Sequence, residues 1–259
     1  MITNKQFYDS VEKVIDINAL AQKAHNFLNK EAIKKQKKLI IEETTETIEK
    51  GVLNNNIEEV VDGIVDVFVV ASYYEFLLCD NEEDFRNEMK KQVDLFTIDF
   101  SKPIDINSVL KKMLNLIVTT DKKGSILSLS FTLLKVVDVV NKKDISYKAI
   151  SDVAENMFLK FPIYKNEDTI KNELKYLEKK YPDRKDFVAV KKGEHIVYLD
   201  DNGVGKFLKP STYKEVDLTW TKKEASTLMA EINKLSNNDL KNEYNELLTV
   251  IELKKIKTN

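Results

Sequence analysis

One cysteine, Cys79, and two histidines, His25 and His195, are all that the 259-residue chain offers of thiol and imidazole ligands. An internal disulfide is excluded, as are multi-cysteine and histidine-rich zinc sites, and a lone thiol suits a reducing, cytoplasmic setting. No run of about 18 apolar residues occurs, so no membrane span is expected. The N-terminal MITNKQFYDSVEKV has no basic stretch leading into an apolar core, so no signal peptide is expected either. Neither charge dominates: 41 Lys and Arg face 43 Asp and Glu, a net charge of −2 that argues against stable nucleic-acid binding. Glycine (6) and proline (4) are scarce, and few breakers over so long a chain favour helices.

What is present is helical periodicity. Phe7, Val11, Val14 and Ile15, then Leu20, Ala24 and Leu28, mark an amphipathic region over residues 3–28. After the basic run 34–38, Leu39, Ile40, Thr44 and Ile48 form the apolar stripe of a helix that Gly51 should stop, with VLNNN as the turn. A long, mostly apolar helix follows from Ile57 to Leu78. Further helices are expected near 82–96, over SVLKKMLNLIVTT and SILSLSFTLLKVVDVVN on either side of a turn at Asp121–Gly124, over 145–161 with Pro162 as the stop, and near 167–180. The texture then changes to short β-rich runs punctuated by Lys192-Gly193 and Asn202-Gly203, the pattern of a small hairpin or meander, and returns to helix from Trp220. The expected fold is mainly α, with a helical-bundle core over 1–165 carrying a helical insertion at about 80–143, an α+β extension over 166–218, and a helical tail over 219–259.

The carboxylates are the chemistry-bearing feature. Glu42, Glu43 and Glu46 fall within little more than one helical turn, and Glu43 and Glu46 share a face. On the next helix Glu59, Asp62 and Asp66 stand at i, i+3 and i+7, again one stripe. Val60, Val61, Ile64, Val65, Val67, Phe68, Val69 and Val70 surround them, and a helix apolar nearly all round is usually buried. Like charges held in such surroundings need a cation. Oxygen ligands without His or Cys point to Mg²⁺, with Mn²⁺ as the substitute. Glu49 and Glu58 read as a solvated face instead. His195 reads as a packing or surface residue, and Gly203-Val204-Gly205-Lys206 is too short for a Walker loop.

Glu42-Glu43-Thr44-Thr45-Glu46 followed by Glu59-Val60-Val61-Asp62 resembles the EExxE…ExxD signature of the all-α nucleoside-triphosphate pyrophosphatases, the MazG-like and dimeric dUTPase superfamily. Asp66 extends the stripe as in many phage-type members. ENMFLKFP resembles the family's SNxxKF element, and HIVYLDDNGVGKFLKP resembles the GKxLKP-containing extension of phage-type members. The motifs span about 39–70 and 145–213.

The resemblance implies a MazG-like fold and a Mg²⁺-dependent hydrolase that converts nucleoside triphosphates to monophosphates and pyrophosphate, in nucleotide-pool control in a bacterial virus or a low-GC bacterium. It implies metal ligands Glu43, Glu46, Glu59 and Asp62, with Asp66 beside them, and Glu42 or Glu46 to orient or deprotonate the attacking water. It implies substrate contacts from Asn156, Lys160, Lys206, Lys209 and Tyr213, and a homo-oligomer, dimer or tetramer. The alternative is a non-catalytic protein on the same fold that binds a nucleotide or a host partner.

Overall fold

The computed structural model describes residues 1–21, 27–94, 112, 123–203 and 207–232. It is mainly helical with one two-stranded antiparallel sheet, as the sequence periodicity predicts. The chain divides into two compact units: Met1–Ile15, His25–Ile150 and Leu218–Asn259 in the first, Asp16–Ala24 and Ser151–Asp217 in the second. The boundary expected at 165/166 thus falls at 150/151, and the C-terminal segment groups with the first unit. No helix among the described residues is long and apolar enough to cross a membrane.

The first unit is built around one buried helix. α1 (Asn4–Ala21) contributes Phe7, and α2 (Lys30–Glu46) starts where the Asn29 side chain accepts a hydrogen bond from the Ala32 amide at 2.9 Å. α3 (Ile57–Leu77) is buried on nearly every face, as its apolar composition requires. α4 (Glu82–Asp94) and α5 (Ser125–Asn141) come from the stretch expected as an insertion. α5 packs along α3, and Phe131 of α5 meets Phe7 at 4.2 Å between ring centroids while Phe7 meets Phe68 of α3 at 5.5 Å. This part of the stretch is therefore core. α6 (Ile145–Phe158) begins in this unit, and α8 (Thr221–Glu224) and α9 (Ser226–Ile232) close its described part. The Leu228 amide donates to Asn141 Oδ1 at 3.2 Å.

Gly51 does not stop α2. The helix passes into a π-helical segment, Thr47–Val52, in which the Leu53 amide donates to the Ile48 carbonyl, and the chain turns only at Leu53–Asn55. Gly51 is glycine for space: a Cβ there would lie 2.8 Å from the backbone nitrogen of Val60. Gly63 on α3 faces the same approach from the other side, since its Cβ would come within 2.1 Å of Thr47 Oγ1. The two glycines let α2 and α3 run closer than side chains would permit.

The second unit is organised by a hairpin. β1 (Val188–Lys192) pairs antiparallel with β2 (His195–Leu199), from Val188 opposite Leu199 to Lys192 opposite His195, across a turn where Gly193 has φ +58°. Alternation along β2 serves two cores. Val197 and Leu199 pack with Ile17, Ala154 and Phe161, whereas Ile196 and Tyr198 pack with Leu177 of α7 (Glu167–Lys180) and with Leu208. Isolated antiparallel bridges from Ile163 to His195 and from Leu199 to Phe207 extend the hairpin among the described residues. Apart from Lys112, which is helical, the expected helix over 108–120 lies outside the described residues, as do the tail beyond 232 and Lys206.

Candidate functional site

The close approach of α2 and α3 gathers the predicted carboxylates in the first unit. Thr47 sits against Gly63, and its hydroxyl donates to the Glu43 carbonyl at 2.6 Å, so the end of α2 is pinned beside α3. Glu43 is half-buried, and its carboxyl is pushed up to about 7, first by burial and then by the charges of Glu46, Glu42 and Asp62. Lys50 acts in the opposite direction. Its ammonium donates to Glu46 Oε2 at 2.5 Å, and its charge also acts on Glu59 and Glu43. Glu42, Glu43, Glu46, Glu59 and Asp62 are thus linked electrostatically across two helices.

Asp62 and Asp66 depart from the expectation that their apolar neighbours bury them. Both are only half-buried, because they occupy the side of α3 that still reaches solvent. Asp66 lies one turn farther along α3 than Asp62. The wholly buried carboxylate of this helix is Glu75, which the spacing argument passes over.

The donors suit a hard divalent cation. They are carboxylate oxygens only, and burial together with the charges of Glu46, Glu42 and Asp62 holds the Glu43 carboxyl above its ordinary range. Two buried oxygens on the same helices, Thr45 Oγ1 and Glu58 Oε1, have no hydrogen-bond partner among the described residues. The geometry is not a finished cage. Among the described residues no three His, Cys, Asp or Glu side chains stand close enough to grip an ion, so the carboxylates would have to rotate inward around it.

The second unit holds the other predicted residues. The Lys160 and Lys209 ammonium groups lie 5.8 Å and 4.9 Å from the Tyr213 ring centroid, so these three converge. Between them stands Glu215, which no motif indicates. It accepts from Lys209 at 2.8 Å and from the Tyr213 hydroxyl at 3.2 Å, and the Lys209 bond holds its carboxyl below the usual range. Asn156 donates to the Lys214 carbonyl, bracing the same loop. The loop is fixed again where Ser211 Oγ donates to Glu173 at 2.6 Å. His195 has a structural place: its Nδ1 lies 2.7 Å from the Phe161 carbonyl at the start of β2.

Two further buried acids in the first unit work as helix caps. Glu75, 2% exposed, accepts from the amides of Gly124, Ile126 and Leu127 at 2.6, 3.1 and 3.3 Å, tying down the start of α5. Burial pushes its carboxyl up to about 7 against the pull of these bonds. Asp138, fully buried, accepts from the Ser146 amide at 2.8 Å and from the Ile2 amide at 2.6 Å. The only signal for either in the sequence is an acid inside an apolar run, and that same signal was read as metal chemistry at Asp62 and Asp66.

Comparison of the chain with family models, with curated proteins and with solved structures finds no match.

Proposed function

We propose that the protein is a Mg²⁺-dependent nucleoside-triphosphate pyrophosphohydrolase, converting (d)NTP to (d)NMP and pyrophosphate. The observation that carries this reading is the placement of Glu42, Glu43 and Glu46 of α2 within electrostatic reach of Asp62 of α3, where Thr47 packs against Gly63. Glu43, Glu46, Glu59 and Asp62 would hold the ions, with Asp66 as an outlying ligand. Bound there, Mg²⁺ supplies charge neutralisation for the triphosphate and acidifies a water. Glu42, exposed at the edge of the group, and Glu46 are the carboxylates able to take the proton from that water. The resemblance assigns substrate contacts to Asn156, Lys160, Lys206, Lys209 and Tyr213. For Lys209 the contact requires release from Glu215, because an ammonium cannot serve both anions fully. A homo-oligomer in the host cytoplasm belongs to the same proposal.

The test is turnover. The protein is incubated with Mg²⁺ and each common NTP and dNTP, and the products are separated by ion exchange. Monophosphate plus pyrophosphate from at least one substrate supports the enzyme. Retained nucleotide binding with no turnover of any substrate replaces it with the non-catalytic binding protein.

A further inference from the structure

Lys50 has no part in the motifs, yet it is a cation paired with one of the grouped acids. It extends from the π-helical segment that follows α2, four residues after Glu46, and its Nζ stands 2.5 Å from Glu46 Oε2. Its bond is to Glu46 alone, and Glu59 on α3 and Glu43 on α2 act on it more weakly, through their charge. The segment itself is held in place. Gly51, the next residue, is packed against the backbone of Val60, and Thr47 against Gly63. Lys50 therefore leaves a fixed piece of backbone one position from the helix crossing, on the side where the acids gather.

We infer that Lys50 is an internal counter-cation of this carboxylate group, one that competes with a divalent ion for Glu46 and is displaced when the ion binds. The inference rests on the metal reading above and adds a regulatory element to it. Lys50 and Glu46 side chains are 56% and 41% exposed, and an ion pair in such surroundings is weak and screened. A single charge on a flexible stem, hydrated on its outer side, yields to a doubly charged ion that several carboxylates can grip at once. Such a pair occupies Glu46 loosely in the absence of metal and releases it readily. Once displaced, the ammonium stays tethered beside the ion, where a triphosphate's negative oxygens would lie.

The experiment measures Mn²⁺ binding alone, without nucleotide, by electron paramagnetic resonance and calorimetry on the full chain. Wild type is compared with Lys50→Met and Lys50→Arg, with far-UV circular dichroism as the folding check. Removing the competing charge should tighten Mn²⁺ binding about two- to fivefold in Lys50→Met. Lys50→Arg, which keeps the charge, should stay near wild type. On a Glu46→Gln background the gain from Lys50→Met should vanish, because the contested carboxylate is gone. If wild type binds Mn²⁺ and Lys50→Met binds it no tighter, the competition is refuted while the metal site stands. If none of the proteins binds Mn²⁺, the metal site itself fails and the inference falls with it.

Discussion

Helix α3 carries carboxylates towards both ends, and they are handled in opposite ways. Near its C-terminus Glu75 is almost completely buried, yet three backbone amides of the α5 start converge on it. Near its N-terminus Glu59 and Asp62 are less buried, and the Asp62 charge acts on Glu43 of α2. Glu75 and Glu43 are both driven to about 7. Desolvation is the largest cause at both; at Glu75 three backbone hydrogen bonds oppose it, whereas at Glu43 three like charges add to it. Burial of an acid therefore does not mark a site.

Substitutions should separate the two ends. The largest effect is expected at the acidic end and on activity alone. Asp62→Asn should cut turnover by about a hundredfold or more while leaving the helical circular dichroism and the urea midpoint close to wild type. At the capping end the effect should fall on stability. Glu75→Ala strands three amides and opens a small cavity, and should lower the unfolding free energy by about 2–4 kcal/mol in urea denaturation. A Glu75→Ala protein as stable as wild type would remove the distinction.

The helix crossing that creates the acidic end can be tested next. Gly63→Ala drives a methyl into Thr47 Oγ1 and should cost about 1–3 kcal/mol, with lowered turnover because Glu43 is displaced along with Thr47. Thr47→Ala on the same chain should recover part of that loss, and a double-mutant cycle measures how much. Gly51→Ala has no such remedy, since it meets the backbone of Val60.

The smallest expected effect concerns pH. Glu43 and Glu75 both titrate from an ordinary 4.5 to about 7 in the fold, so the native state holds their protons more tightly than the unfolded chain does. Their contribution to stability is therefore complete below about 4.5 and is lost as pH rises through 7. Mg²⁺ should restore the Glu43 share only where that group is ionised. Saturating Mg²⁺ should raise the melting temperature by about 3 °C at pH 8 and by much less at pH 5.5. Equal shifts at the two pH values would mean that the ion acts elsewhere.

Periodicity carried the helices well. The long apolar run of α3, the α7 span and the hairpin turn at Gly193 all follow from local pattern, because each buries a face set by its own spacing. Gly51 misled for a physical reason: a helix stop and a close helix crossing both require a missing Cβ, and only tertiary structure distinguishes them. The unit boundary was hidden similarly, since α5 reads as an added helix until Phe131 is seen against Phe7. The acidic group was legible as paired stripes on successive helices. Lys50 and Glu215 were not, because a lysine beside acids and a glutamate beside lysines read as ordinary surface charge until distances are known.

The most direct measurement follows the Glu43 and Glu75 side-chain carboxyls by carbon-13 NMR as pH is varied, with and without Mg²⁺. Without the ion both should titrate near 7. With saturating Mg²⁺ the Glu43 midpoint should fall by about one pH unit or more while Glu75 stays in place. A Glu43 midpoint that ignores Mg²⁺ would contradict the metal site, and with it the proposed reaction.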